Sequence, residues 1–581
     1  MSTTQAPAGP TTAKVIPLQA HRSAVAEERF FLLLAIFIGI YAGLAVVCFR
    51  VAIEWTRILL LGSSPESSGI RLILAPAVTG LVVAFLVMKV FPAVRGSGVN
   101  QTKSALYIYN GYIPFRTAVG KFICSALAIG SGHSLGPEDP SLQIGATMAS
   151  ALGRRLRLSR EKVRLIAPVG AAAGLAAAFN APISAVLFVI EEVIGRWSAA
   201  ILGSIVLSAV SSVVVARFFL GSQPLFRIPT VSLISTEELL AYTVLGVVGG
   251  LASFVFARLV GWLRPKLKAL PRWTQYFQPV AAGLIIGLIG YFGFPQVMGA
   301  GYEYMDQAMH SQFTIQMLLI LAGLKIVATT LSFTSGTPGG MFAPTLFVGA
   351  MLGAAVGGIE HNLLPNLTGT VGTYALVGMG VLFAAFLRAP LTSVFMVLEV
   401  SGNYSIILPV IVANTIAYLL SRSLQPTPIF EVLTRQDGLM LPSMEEQREE
   451  ELLRVEDAMR AYSGPILEAE ELANPALERA SSSPEPVLLA RRLPGYWYAF
   501  RREELRSAHP AATIVDLATR EPLPILFPDT PLEAALRSLR GHELLPVLHR
   551  ADQTKIEGVL TLELILRAYS ETSDGHSSQP N

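Results

Sequence analysis

One stretch of this chain occurs twice, and the repeat limits the possible folds more than any other feature. The segment GPEDPSLQIGA around Pro140 aligns with GGMFAPTLFVGA around Pro344, an offset of 344 − 140 = 204 residues. A longer pair further along aligns Pro182 with Pro390, an offset of 390 − 182 = 208 residues. Two matches in the same order at nearly equal offsets indicate two related halves. This is typical of membrane transporters that hold their substrate near the bilayer midplane.

Composition assigns the chain to the integral membrane proteins. Of its 581 residues, 52% are hydrophobic and 15% are charged, and the mean hydropathy is +0.53. A soluble multidomain protein is far less apolar. Segments long enough to cross the hydrocarbon core are predicted at 30–52, 71–91, 199–220, 238–261, 278–294, 314–333 and 404–421. Shorter apolar segments between them are interrupted by glycine and proline and predict broken half-helices.

The two ends of the chain are predicted to be soluble. Residues 1–28 contain several prolines and lack the apolar core of a cleaved signal, so we expect a disordered cytosolic tail. The segment 436–581 is charged and has no run able to span a bilayer, and its last part predicts a small α+β module. The transmembrane part is therefore expected at 29–435, with one repeat at about 30–220 and the other at about 238–421.

Composition and motifs also argue against several other classes of protein. The net charge is only +3, with no long basic run interleaved with aromatic residues, so no nucleic-acid partner is expected. Cys48 and Cys124 both lie in apolar segments, where thiols are usually small core residues, and we predict no metal site. No H-E-x-x-H zinc motif and no nucleotide fingerprint is present. We predict that the protein is not an enzyme and has no catalytic residues.

Three segments place glycine, small residues and proline at predicted helix starts inside the apolar region. They are RGSGVN (95–100), LGPEDP (135–140) and TPGGMFAP (337–344). The first N–H groups of a helix are unpaired and carry a partial positive charge, so several such ends can hold an anion together. Helix ends need no lysine or arginine for this, and they hold the anion loosely enough to let it leave. We therefore predict a pathway for a small permeant anion.

The order of these motifs resembles the CLC family of chloride channels and chloride/proton exchangers. GSG is followed by G-x-E-x-P with QIG, then by GLAAAFNAP and G-x-F-x-P, over about 30–435. The resemblance implies an all-α polytopic membrane protein with two inverted-topology repeats of tilted and broken helices. It also implies a soluble α+β cytosolic domain similar to a pair of cystathionine-β-synthase-type (CBS) modules. It further implies a homodimer in the lipid bilayer of the plasma (inner) membrane, with one pore per subunit and cytosolic N- and C-termini.

The resemblance also implies which residues bind the anion. The hydroxyl of Ser97 and the backbone N–H groups of Met341 and Phe342 would contact a dehydrated chloride ion. Phe430 stands where the family has a tyrosine whose hydroxyl also contacts chloride. The glycines that open the helix starts are Gly96, Gly98, Gly136, Gly339 and Gly340. Because Phe430 keeps the ring but lacks the donor, we predict weaker central anion binding than in the tyrosine members.

Two glutamates are predicted to gate the pathway and to transfer protons. Glu138 lies at a helix start that favours a carboxylate, although burial disfavours the charge, so it would compete with chloride and leave when protonated. Glu191 aligns with Glu399, and we interpret both as structural braces of equivalent helix ends. Glu192 aligns with Val400 instead, and it matches the family's intracellular proton-transfer glutamate. An acid present in only one of two matching halves predicts a functional role.

The chain departs from the family pattern close to these residues. Pro137 and Asp139 flank Glu138 where the family usually has a basic residue and a glycine, and Asn100 replaces a proline. In the soluble segment, the T-x-x-D signature that contacts a ribose is replaced by TLEL (561–564). We expect no cofactor, and adenine-nucleotide binding at the C-terminal domain stays open.

The predicted function is chloride transport by chloride/proton antiport, with chloride and protons as the transported ions and Glu138 as the gate. A passive voltage- or pH-gated chloride channel is the alternative. A transporter of fluoride or another anion ranks behind both, because fluoride exporters of this fold depart from the GSG pattern that this chain keeps.

Overall fold

The fold separates into two compact units, Met1–Leu441 and Pro442–Asn581. The structure is a computed structural model that describes residues 18–62, 69–158, 160–195, 199–221, 226, 237–365, 368–439, 441, 453–481, 483–492, 496–509, 512–517, 522–549 and 552–577. The first helix begins at Leu18, so the last part of the predicted tail is helical. Residues 1–17 of that tail lie outside the described residues.

The regular elements of the first unit are helices in its described part. Its helices are α1 (Leu18–Leu61), α2 (Arg71–Phe85), α3 (Gly98–Tyr107), α4 (Phe115–Gly130), α5 (Glu138–Arg155), α6 (Arg160–Phe179), α7 (Pro182–Phe188), α8 (Ala199–Leu220), α9 (Glu238–Ala269), α10 (Gln278–Tyr291), α11 (Tyr302–Met309), α12 (Ile315–Thr334), α13 (Phe342–Leu363), α14 (Val371–Leu387), α15 (Pro390–Ser401), α16 (Ile407–Leu424) and α17 (Ile429–Gln436). Two π-helical segments, Leu86–Val90 and Val189–Ile194, extend α2 and α7. Among the described residues, eight helical segments are long and apolar enough to cross a membrane.

The helix order repeats once along the first unit. Helices α2 to α8 correspond one by one to α10 to α16, and the aligned prolines open α7 and α15 at equivalent points. Two segments differ from the predicted half-helices, because α6 and α13 are 20 and 22 residues long. Both are mostly buried inside the protein. Glycine and alanine are abundant in them because they pack against other helices, and these residues do not break the helix there.

Glycines allow the two central helix pairs to pack closely. A Cβ added to Gly145 of α5 would collide with the carbonyl oxygen of Gly170 in α6, and one added to Gly349 of α13 would collide with that of Gly378 in α14. Small residues let helix backbones approach to this extent, which replaces the hydrophobic driving force that is missing in lipid. The first turns of α5 and α13 are therefore fixed on a rigid support.

The second unit is an α+β domain. Its strands are β1 (Ile466–Glu468), β2 (Val487–Arg492), β3 (Tyr496–Arg501), β4 (Leu545–His549) and β5 (Asp552–Leu560), and its helices are α18 (Val455–Ala458), α19 (Ala473–Ala480), α20 (Arg502–Arg506), α21 (Ile514–Leu517), α22 (Leu532–Ser538) and α23 (Leu562–Ser577). One sheet has the order β1-β2-β3 and the other pairs β4 with β5. Arg460 donates to both carboxylate oxygens of Glu485 at 2.6 Å and holds the pKa of that carboxyl below its usual range.

Candidate functional site

Two equivalent glycines join the helix starts of the two repeats. Gly136 N–H donates to the carbonyl oxygen of Gly340 at 2.8 Å, and Gly340 N–H donates back to Gly136 at 2.9 Å. A Cβ on Gly136 would lie 2.9 Å from Cβ of Ala343, and one on Gly340 would lie 2.6 Å from Cβ of Asp139. Because neither position has room for a side chain, both must be glycine. The bridge brings the first turns of α5 and α13 together in the protein interior.

Glu138 is the first residue of α5 and is fully buried. Its Oε1 accepts a hydrogen bond from the hydroxyl of Tyr302, the first residue of α11. Its carboxylate lies near the backbone nitrogen of Ala343 in the first turn of α13, and its Oε2 has no hydrogen-bond partner among the described residues. The carboxylate therefore covers the N-terminus of α13, where the first backbone N–H groups have no partner within the helix and can bind an anion.

The neighbouring acid, Asp139, turns to a different helix. Its Oδ1 accepts a hydrogen bond of 2.8 Å from Val99 N–H, in the first turn of α3. Ser97, which precedes α3 and is buried, faces the same carboxylate. The two consecutive acids thus each cover a helix N-terminus, Glu138 at α13 and Asp139 at α3.

The predicted anion-binding residues lie around these helix starts. Met341 and Phe342 begin α13, and the ring of Phe342 is centred 6.3 Å from that of Phe430 in α17. Asn100 Nδ2 donates to the carbonyl oxygen of Phe430 at 2.9 Å, so the residue that replaces the family's proline fastens α17 to α3. Phe430 has no polar side-chain atom, so its side chain offers only an apolar ring to an anion.

Three more of the predicted glycines, Gly96, Gly98 and Gly339, lie at or just before the starts of α3 and α13. Gly96 has a φ of 87°, a left-handed conformation that favours glycine. Gly98 is the first residue of α3, and its backbone packs against Asp139. Gly339 packs against the side chain of Leu135, because a Cβ added to Gly339 would lie 2.7 Å from Cβ of Leu135.

Glu192 lies away from Glu138, in the π-helical segment after α7. Its Oε1 forms a buried ion pair with Lys103 Nζ at 3.3 Å. Lys103 belongs to α3 and follows Ser97 by six residues, which corresponds to about 9 Å along a helix. Helix α3 thus connects the predicted anion site with the predicted proton-transfer residue.

Glu191 and Glu399 brace the two repeats, which confirms their interpretation as structural residues. Glu191 accepts hydrogen bonds from the backbone N–H and the hydroxyl of Thr392 at the start of α15. Glu399 accepts from the N–H groups of Ile183 and Ser184 at the start of α7. Each acid therefore caps a helix of the other half.

Three residues near the site, Tyr302, Lys121 and Lys325, are not among the predicted ones. Lys121 Nζ donates to the carbonyl oxygens of Val94 and Gly96, and Lys325 Nζ makes the equivalent bonds to Val297 and Gly299. Their spacing, 325 − 121 = 204, equals the first offset of the repeat. Aligning RGSGVN with MGAGYE (298–303) would have marked the loop that contains Tyr302, and the offset of 204 would have paired the two lysines.

A cavity of about 530 Å³ adjoins the gate region. Pro137 and Tyr302 line it, together with Arg50 and Arg57. Arg57 is paired with Glu54 at 2.6 Å, and Arg50 is close enough to Glu138 to act on its charge. Glu54 and Glu303 also line the cavity, so Arg50 is the cation of the lining that acts on the gate, and the cavity offers small anions a route to the covered helix N-terminus.

The segment GHSLG (132–136) has the G-x-S-x-G spacing of a hydrolase nucleophile. Its serine, Ser134, has its hydroxyl 2.9 Å from that of Thr329, and His133 Nε2 lies 3.1 Å from the carbonyl oxygen of Pro76. The serine and histidine of this segment therefore do not form a nucleophile and base pair with each other.

The second unit contains a cavity of about 40 Å³ between Val487, Tyr498 and Leu523. Pockets that bind small molecules measure about 300 Å³ or more. Thr561 of the altered T-x-x-D signature accepts a hydrogen bond of 3.4 Å from Leu564 N–H at the start of α23. The cavity does not fit an adenine nucleotide.

Comparison with known proteins relates both units to families. Residues 79–422 match the family model of the voltage gated chloride channel, and 514–571 match that of the CBS domain. The H⁺/Cl⁻ exchange transporter ClcA of Salmonella arizonae is 33% identical over 418 residues, which cover 69% of this chain and 87% of that protein.

Solved structures are similar as well. A slow cyanobacterial Cl⁻/H⁺ antiporter matches with a TM-score of 0.65 at 26% identity, covering 72% of this chain and 99% of the other. A eukaryotic CLC transporter matches with a TM-score of 0.61 at 20% identity, covering 92% and 97%, and shows the fold alone. These matches confirm the predicted fold class.

Proposed function

The chain belongs to the voltage-gated chloride channel family, and we propose that it exchanges chloride for protons across the membrane, with Glu138 as the gate. The observation that carries this proposal is the position of the Glu138 carboxylate over the N-terminus of α13, beside Ala343. The relatives named as H⁺/Cl⁻ exchange transporters support the same activity.

The gate works by competition between two anions for the same donors. An ionised Glu138 covers the first N–H groups of α13, where Met341 and Phe342 would otherwise bind chloride. Protonation removes the charge that the helix N-terminus attracts, so the side chain leaves and chloride takes its place. Tyr302 positions the carboxylate through its hydroxyl. One proton is thereby coupled to the movement of the anion.

Glu192 supplies the proton from the other side of the protein. It is buried, and Lys103 keeps it in one orientation. Ser97 directly precedes α3, the helix that carries Lys103, so a change in the Glu192 pair is transmitted along α3 to the anion site.

Passive chloride conduction is the second candidate. The observation that favours it is Phe430, whose ring contributes no hydroxyl to the site. A chloride ion held by fewer donors moves more easily and is coupled less tightly to Glu138.

Chloride efflux from proteoliposomes, with external pH recorded at the same time, tests the proposal. A chloride gradient should drive proton uptake uphill in the wild type, and Glu138→Gln should abolish the proton movement because its amide cannot carry a proton. Asp306→Asn is the matched control. It also replaces an acid by its amide, but in α11, where the carboxylate lies 3.9 Å from His310. Chloride flux without proton movement in the wild type would establish the passive channel.

The proposal extends to assembly and location. We propose a homodimer in the plasma (inner) membrane with both termini in the cytosol, as the family implies. We also propose the division into a tail at 1–28, a membrane domain at 29–435 and a cytosolic domain at 436–581. The CBS match within the last segment supports a regulatory or structural role for it.

A further inference from the structure

Asp139 occupies the N-terminus of α3, directly after Ser97, whose hydroxyl the family resemblance assigns to chloride. Its Oδ1 accepts a hydrogen bond of 2.8 Å from Val99 N–H. A Cβ added to Gly98 would lie 2.8 Å from the same oxygen, so the carboxylate contacts the first turn of α3. Ser97 faces it, and Lys121 is near enough to attract its charge. Asp139 is fully buried, and its Oδ2 has no hydrogen-bond partner in the described part of the chain.

The repeat shows that the fold does not need this acid. Gly136 and Gly340 form the same bridge, and Lys121 and Lys325 make the same bonds to the loops before α3 and α11. The residue of the second half that corresponds to Asp139 is Ala343, since 343 − 139 = 204. An equivalent loop is thus built and held without a carboxylate.

We infer that Asp139 is a resident anion at the N-terminus of α3 and determines how tightly the protein binds chloride. This inference rests on the proposed function. A fixed carboxylate that takes up the N–H group of Val99 leaves fewer donors for chloride and repels a second anion nearby. Chloride then depends mainly on the N-terminus of α13, at Met341 and Phe342, and central binding is weak.

Titration of the full-length protein in detergent with chloride, followed by calorimetry, tests the inference. Asp139→Gly and Asp139→Asn should both bind chloride at least about tenfold more tightly than the wild type, because both remove the competing charge. The asparagine keeps an oxygen that accepts from Val99 N–H. If Asp139 only capped α3, Asp139→Asn would therefore keep the wild-type affinity.

Unchanged dissociation constants in folded, monodisperse variants would overturn the inference. Should Asp139→Gly fail to fold, Asp139→Asn decides alone. Glu399→Gln is the matched control, because it neutralises a half-buried carboxylate that caps another helix start, at Ile183 and Ser184, and should leave chloride affinity unchanged.

Flux measurements on the same samples separate this inference from the proposed function. Proton-coupled chloride transport together with unchanged affinity in both Asp139 variants would overturn only the role of Asp139. The absence of both chloride binding and chloride flux in every protein would overturn the proposed function and this inference with it.

Discussion

At the residue scale, Phe430 shows how one missing hydroxyl affects the anion site. Its ring packs near Phe342 at the start of α13, and its backbone is fixed by Asn100. Phe430→Tyr would add a donor at the place where the family has one. A hydrogen bond to a charged group contributes about 1.5 kcal/mol or more, so we expect chloride to bind roughly tenfold more tightly in calorimetry.

Phe430→Leu serves as the control for that variant. It changes the ring but adds no donor, and chloride affinity should not rise. A gain of equal size in both variants would mean that loosening of the packing, and not the hydroxyl, improves binding.

The ion pair between Lys103 and Glu192 leads to a prediction about stability. Both side chains are buried, and Lys103→Met would leave the carboxylate without its cation. Removing one partner of a buried pair costs about 3 to 5 kcal/mol. We expect a clearly lower thermal midpoint in detergent-based unfolding, and Lys103→Arg should restore most of it. An unchanged midpoint in Lys103→Met would show that Glu192 has another partner.

The sequence indicated where the candidate residues lie along the helices better than it indicated which residues they contact. Glu138 and Ser97 could be identified because they belong to motifs at helix starts, and the structure places them at such starts. Tyr302, Lys103 and Lys121 are separated in sequence from the residues they contact. No local pattern links a donor to an acceptor that is 164 residues away, as for Tyr302 and Glu138.

At the element scale, helix packing depends on glycine where backbones touch. Gly349→Ala would push α13 away from the carbonyl oxygen of Gly378 in α14, and overpacking of this kind costs about 1 to 3 kcal/mol. Gly323→Ala in α12 meets nothing within 4 Å and should be neutral or slightly stabilising, because alanine favours a helix more than glycine does. Thermal unfolding of both variants checks this, and equal midpoints would contradict it.

Helices that face lipid could be predicted more reliably than those enclosed by protein. The predicted spans at 71–91, 199–220 and 314–333 correspond closely to α2, α8 and α12. By contrast, α6 and α13 were expected as broken pieces, because their glycines and alanines weaken the apolar signal on which span prediction depends. A buried helix is selected for close packing, and only the structure shows its full length.

At the scale of the whole molecule, the internal repeat carried most of the information. It predicted that the second half repeats the helix order of the first, and the two helix starts that it aligned meet at Gly136 and Gly340. It could not predict the asymmetry at the centre. There, Glu138 and Asp139 face helix starts while their counterparts, Phe342 and Ala343, carry no charge.

The two units lead to a final prediction about what transport requires. All residues proposed to contact chloride or to transfer protons lie before Leu441. The match to the cyanobacterial antiporter covers 99% of that protein but only 72% of this chain. A chain that ends after Leu441 should therefore still transport chloride with proton coupling in proteoliposomes, at a rate of the same order as the full chain. The full-length protein and a truncated Glu138→Gln variant are the controls. If the truncated chain stayed monodisperse but lost all flux, the helix starts of α5 and α13 would not suffice for transport. The second unit would then be part of the transport mechanism.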